Sequence, residues 1–211
     1  MDIDEVWTEI DAQRTRLCEL LADLDEADWE VASLCTDWRI RDVAAHLTLQ
    51  QAGLHDVLTM MREDPRSALR FDMNAMIKGA AVRRSTMGTA DMIAAIRGMV
   101  GSRRHNLGVT PRETLIDICV HSQDIAIPLD RDLPLTTTAA VAVADRVWSR
   151  GWPWYPAKRH RGLRFVATDV DWAIGEGAEV RGPIGAIVLL LTGRDVAADL
   201  LREAIDGETG E

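Results

Sequence analysis

A mainly α-helical bundle over residues 1–150, followed by a small α/β unit over residues 151–211, is the architecture this sequence predicts. Three observations lead to it. Apolar residues recur at helical spacing through most of the first 150 positions. A strong helix-start signal, Thr110-Pro111-Arg112-Glu113, sits ahead of another such run. The composition then changes at Gly151-Trp152-Pro153-Trp154-Tyr155-Pro156, which cannot continue a helix, and short strand-like runs follow.

Residues 5–24 read as the first helix, with Val6, Ile10, Leu17, Leu21 and Leu24 on its apolar side. A loop containing Trp29, Ser33 and Cys35 leads to a second helix, which starts near Trp38 and runs through Val43, His46, Leu47, Leu54 and Leu58. Asp42 sits in its first turn, at the positive end of the helix dipole. Pro65 closes this region. A weakly patterned helix over 71–87 and another from Thr89 to about Met99 follow. The helix begun at Pro111 carries Leu115, Ile118, Cys119, His121 and Ile125 and ends before Pro128. Residues 136–149, rich in Ala and Val, form one more. In the C-terminal part, Leu163–Ala167 and Asp171–Ile174 read as strands, and Gly175-Glu176-Gly177 as a turn. Gly182-Pro183 opens a helix that Gly193 ends, and 195–205 is expected to form the last helix.

The 211 residues are 47% hydrophobic and 27% charged, which is ordinary for a globular protein. The net charge of −10 is uneven: residues 1–30 hold eleven acids and two arginines, so the rest is nearly neutral. Such a charge run reads as the solvated face of the first helix. Nucleic acid is excluded as an expected partner, because phosphate binding needs a basic footprint. The N-terminus lacks an apolar signal core, and the longest apolar stretch, around Ile184–Thr192, is too short to span a bilayer. Cys18, Cys35 and Cys119 form no CxxC, and an odd count fits reduced thiols. The expectation is a soluble, cytoplasmic protein with no membrane partner.

The chemistry-bearing pattern lies on two of these helices. Asp117 and His121 are four apart, so their side chains share one helix face a turn apart. A carboxylate and an imidazole so placed can ligate one cation, and His46, set in the apolar run Val43-Ala44-Ala45-His46-Leu47, is the best third ligand. Two nitrogens and one oxygen suit zinc, while nickel, iron and manganese remain open. Three protein ligands leave a position for water, substrate or a thiol. The same residues are compatible with a core histidine and a hydrogen-bonded acid–histidine pair, and spacing leaves both readings open. Asp124, three residues after His121, is placed to orient an imidazole. His55, His105 and His160 read as surface histidines. The sequence has no GxSxG elbow, Walker loop, Rossmann fingerprint or HExxH.

At these residues a family resemblance enters. Trp29, then Ser33-Leu34-Cys35-Thr36-Asp37-Trp38, then Arg41-Asp42-Val43-Ala44-Ala45-His46-Leu47 resembles the start of the mycothiol-dependent maleylpyruvate isomerase family. Asp117-Ile118-Cys119-Val120-His121-Ser122-Gln123-Asp124 resembles its second motif. The run Ala167-Thr168-Asp169, Asp171-Trp172, Gly182-Pro183 and Leu189 to Arg194 resembles the short tail of many actinobacterial members. The resemblance implies a DinB-like up-down four-helix bundle with a small sterol-carrier-like C-terminal appendage. It implies His46, Asp117 and His121 as ligands of a divalent metal, zinc foremost, and mycothiol as cosubstrate. The implied activity is that of an isomerase or S-transferase acting on a small electrophilic molecule. Bundles of this kind often pair, which leaves a homodimer open. Two departures stand out. The family often has a capping threonine after the Trp38 position, where Arg39 here leaves Thr36 or Asp37 as the expected cap. The family's acidic ligand is usually glutamate, whereas Asp117 is one methylene shorter. This second departure supports the alternative, a non-catalytic metal-binding or structural protein of the same fold.

Overall fold

Asp2 opens the first helix. Its carboxylate accepts from the Glu5 N–H at 2.9 Å, and Glu5 Oε2 accepts from the Asp2 N–H at 2.8 Å, a reciprocal cap that starts α1 (Ile3–Ala22) earlier than the apolar pattern suggests. The computed structural model describes residues 1–70 and 73–194, so the helix expected over 195–205 lies outside the described residues. Two compact units are present, residues 2–133 and residues 134 onward.

In the first unit, α1 lies against α6 (Thr89–Arg97) and α7 (Pro111–Ala126). The second helix, α2 (Ile40–Leu47), lies against α7 and against α5 (Met73–Arg84). Ile10, Leu17, Val43, Leu47, Met92, Ile96 and Ile118 are fully buried between them. Each such side chain contributes about 1.5–3 kcal/mol relative to exposure. The cap of α7 is the one the sequence announces: Glu113 Oε2 accepts from the Thr110 N–H at 2.9 Å and Thr110 Oγ1 from the Arg112 N–H at 3.3 Å, with Pro111 in the first turn.

Three local expectations are corrected. The cap of α2 is neither Thr36 nor Asp37; Asp42 reaches back from the first turn and accepts from the backbone N–H and the Nε of Arg39, each at 3.0 Å. The helix carrying His46 does not continue to Leu58. It ends at Leu47, a turn occupies 48–51, and α3 (Leu54–Glu63) begins after Gly53, whose N–H is taken by Asp56 at 2.8 Å. That break turns Gln50 into the interior, where it is 2% exposed. Pro65 opens the short helix α4 (Pro65–Leu69) instead of closing the region, as befits a residue without a backbone N–H.

In the second unit, α8 (Thr137–Arg150) packs against α10 (Ile184–Leu191), with the short α9 (Pro156–Arg159) between them in sequence. The Ala/Val face of α8 meets a helix that is almost entirely apolar, so α8 belongs to the compact unit that starts at residue 134. β1 (Leu163–Ala167) is central in a three-stranded sheet, antiparallel to β2 (Ala173–Gly175) and parallel to β3 (Ala178–Gly182). β3 carries no strand signal in its sequence, because a five-residue strand with one buried position has no alternation. Gly177 between β2 and β3 has φ +123°, and a Cβ there would run into the Gly162 carbonyl. No helix of the described residues is long and apolar enough to cross a membrane.

Candidate metal centre

Two packed helices bring the predicted residues together. His46 occupies the last turn of α2, on the flank next to the fully buried Val43 and Leu47, and Asp117 and His121 occupy one face of α7. The three offer ligand atoms that all lie within 4.8 Å of one another. His46 Nε2 stands 3.1 Å from Asp117 Oδ1 and His121 Nε2 stands 3.5 Å from the same oxygen. The side chains are mostly but not wholly sealed, at 14%, 28% and 16% exposure for His46, Asp117 and His121. The indole of Trp38 forms one wall, its ring 5.4 Å from that of His46 and stacked at 6.3 Å on that of His121.

What lies behind each donor decides how it is aimed. Asp117 Oδ2 accepts from Gln50 Nε2 at 2.7 Å, which leaves Oδ1 turned toward the two imidazoles. Gln50 is held in turn by Arg14, whose Nε and Nη2 donate to its Oε1 at 3.2 and 3.1 Å. Arg14 is fully buried and also donates to the Met99 carbonyl at 3.1 Å. His121 Nδ1 lies 2.7 Å from Asp124 Oδ2, so the orienting role expected of Asp124 has its geometry. The Cys35 thiol donates to that same Oδ2 at 3.0 Å, and the Leu34 N–H donates to the Asp124 carbonyl at 3.2 Å. With a proton on Nδ1 directed at Asp124, the lone pair of His121 falls on Nε2, toward Asp117.

The electrostatics agree with this layout. Burial opposes ionisation of Asp117, but the charge and hydrogen bond of His46, with help from His121 and Gln50, hold its carboxyl well below the usual carboxylate range. Burial likewise disfavours the charged form of His46, and the adjacent Asp117 outweighs it, leaving the imidazole's pKa raised. Burial pushes the Cys119 thiol, on α7, up to about 12, which makes it chemically inert.

The donor set suits a divalent cation of the zinc type. Two imidazole nitrogens and one carboxylate oxygen converge, while the outward atoms of Asp117 and His121 are already taken by Gln50 and Asp124. Among the described residues, the buried Nδ1 of His46 has no hydrogen-bond partner. Cys35, His121 and Asp124 form a second cluster of potential ligands, but their short contacts are those of a closed hydrogen-bonded set.

Sequence reasoning missed Arg14 and Gln50. A signal for Arg14 was present: it interrupts the apolar side of α1 between Ile10 and Leu17. Gln50 follows His46 by four residues but lies past the helix end, where periodicity no longer applies. Two of the presumed surface histidines are half-buried; His105 stacks on Trp7 and His160 packs edge-on against Phe165. In the C-terminal unit, Arg159 donates to the Leu190 and Leu191 carbonyls at the end of α10.

Comparison with known proteins bears on this cluster. The sequence model of the family described as mycothiol maleylpyruvate isomerase N-terminal domain matches residues 10–117, a span that contains His46 and Asp117 and stops four residues short of His121. No curated protein matches the chain by sequence. Two crystal structures match its fold over 92% of this chain and 90% of theirs. One is of a mutant of a mycothiol-dependent maleylpyruvate isomerase, with TM-score 0.64 and 12% identity. The other is of a mycothiol-dependent maleylpyruvate isomerase, with TM-score 0.59 and 13% identity.

Proposed function

Because the chain belongs to the mycothiol maleylpyruvate isomerase family, we propose that it is a metal-dependent, mycothiol-using isomerase or S-transferase whose His46, Asp117 and His121 hold a divalent cation, zinc foremost. The observation that carries the reading is the convergence of three donor atoms within 4.8 Å, two of them on side chains whose other polar atoms are already hydrogen-bonded. A cation bound there would lower the pKa of a thiol beside it, supplying a thiolate near neutral pH.

The chain's own residues do the rest. Asp117 remains ionised at neutral pH and contributes the negative charge that a dication needs. Asp124 keeps His121 in one tautomer and one orientation. Trp38 stands beside both imidazoles and forms one wall of the site. In the isomerase reaction the thiolate sulfur bonds to one carbon of an activated double bond, and the displaced electron pair moves onto the adjacent carbonyl. The resulting single bond turns, and the sulfur departs with its electron pair as the double bond re-forms. In the transferase reaction the new carbon–sulfur bond is kept, and the electron pair that moved onto the carbonyl side takes up a proton from water. The non-catalytic alternative draws its support from the shorter acid alone.

The test is elemental analysis of protein purified without chelator, followed by cobalt substitution and addition of mycothiol. About one metal ion per chain and a new sulfur-to-metal charge-transfer band are expected. A loaded protein whose spectrum ignores saturating mycothiol would overturn the thiol reading, and undiminished metal content in both His46→Ala and His121→Ala would overturn the ligand assignment.

A further inference from the structure

We infer that Gln50, clamped by the buried Arg14, is the positioning residue that matches this site to an aspartate at position 117, so that the shorter acid is the fitted one. The inference rests on the metal reading of the same cluster. It starts from a relay of three contacts: the buried Arg14 Nε and Nη2 both to Gln50 Oε1, and Gln50 Nε2 to the part-buried Asp117 Oδ2 at 2.7 Å.

Each end of the series is fixed by something else. Arg14 is 0% exposed, and its Nη1 is tied to the Met99 carbonyl at 3.1 Å and faces Asp11 at 3.7 Å. A buried guanidinium is costly unless its donors are satisfied, and here two of them end on one amide oxygen. That double contact leaves the Gln50 amide one orientation, with its nitrogen aimed at Asp117. Gln50 is 2% exposed, on the turn after α2, and cannot swing away into solvent. The Asp117 carboxylate is therefore met by a donor that is already at contact distance and cannot retreat.

The consequence concerns length. One more methylene moves a carboxylate by about 1.5 Å along its stem. A glutamate at 117 would have to drive that oxygen into Gln50 Nε2 or turn its carboxylate off the line to His46 and His121. With aspartate, Oδ2 is occupied by Gln50 and Oδ1 faces the two imidazoles at 3.1 and 3.5 Å, so one oxygen is kept for the ion. Loss of a hydrogen-bonded partner behind a metal ligand typically costs ten- to a hundredfold in metal affinity.

The experiment titrates the purified full chain with zinc(II) against a competing chelating dye, for the wild type, Gln50→Met and Asp117→Glu. Melting temperature in excess chelator and the cobalt(II) visible spectrum are recorded for each. Gln50→Met is expected to bind zinc about ten- to a hundredfold more weakly and to change the cobalt spectrum. Asp117→Glu is expected to bind more weakly than wild type although it restores the acid usual in the family. A folded Gln50→Met with wild-type affinity and spectrum, or an Asp117→Glu that binds zinc more tightly, overturns the inference and leaves the metal reading standing. A purely structural role for Gln50 would lower its melting temperature in chelator without moving affinity or spectrum, which also overturns it. If Gln50→Met does not fold, the sign of the Asp117→Glu change decides. A wild type that binds no zinc or cobalt overturns the metal reading and this inference together.

Discussion

His121 and His46 face the same carboxylate, yet they are held in different ways. His121 is fixed from behind by Asp124 at 2.7 Å, and the Cys35 thiol shares that carboxylate at 3.0 Å. His46 has a buried Nδ1 with no hydrogen-bond partner among the described residues, and its ring is confined by Trp38 at 5.4 Å and by His121 at 4.9 Å. From behind, one imidazole is held by a hydrogen bond within its own helix, three residues apart, and the other by packing between elements, while its Nε2 meets Asp117 in front at 3.1 Å. A hydrogen bond from behind to a charged partner fixes a ring plane and leaves the front nitrogen free for an ion, whereas ring contacts from behind confine the plane alone. The α7 half of the site is therefore built by local periodicity. The α2 half exists only once the bundle has assembled.

The strongest break of this comparison is removal of either imidazole. Zinc at about a hundredfold above its dissociation constant stabilises the native state by about 2.7 kcal/mol, or roughly 5–10 °C in melting temperature for a chain of this size. Differential scanning fluorimetry should show that shift in the wild type and lose it in both His46→Ala and His121→Ala. A full shift in either variant would mean that its helix contributes no ligand.

A finer test sets the two modes of support against each other. Asp124→Asn removes the charged partner of His121 and should weaken zinc binding about ten- to a hundredfold. Trp38→Leu removes the ring beside His46, and a ring contact is worth about 0.5–1.5 kcal/mol, so its effect should be the smaller. Calorimetric titration of both variants ranks them. If Trp38→Leu costs more than Asp124→Asn, packing and not hydrogen bonding is the tighter constraint.

The smallest expected effect lies on the opposite side of α7. The Cys119 thiol, ionising near 9 in the unfolded chain and at about 12 in the folded protein, favours folding fully below pH 9. That contribution declines as pH rises from 9 toward 12, because the unfolded state gives up its proton first. Urea unfolding at pH 8 and pH 10.5 should show Cys119→Ala losing less stability across that interval than the wild type. Equal losses would place the alkaline sensitivity elsewhere.

Residue spacing alone determined that Asp117, His121 and Asp124 share a face, because 3.6 residues per turn stacks positions three and four apart whatever surrounds the helix. It also determined the start of α7, since Thr110, Pro111 and Glu113 satisfy that helix's first N–H groups locally. The helical character of residues before the Trp-Pro run followed from the same periodicity. The choice of His46 as third ligand drew on an imidazole standing in an apolar run and on a family resemblance, and its 3.1 Å approach to Asp117 came from α2 packing on α7. The strand β3 was decided by pairing with β1, since its own residues show no alternation. Gln50 and Arg14 were decided entirely by tertiary structure. Thirty-six residues separate them and sixty-seven separate Gln50 from Asp117, and a contact of that range leaves no period in the chain. It arises only where α2 ends, the turn points inward, and a buried guanidinium needs an acceptor.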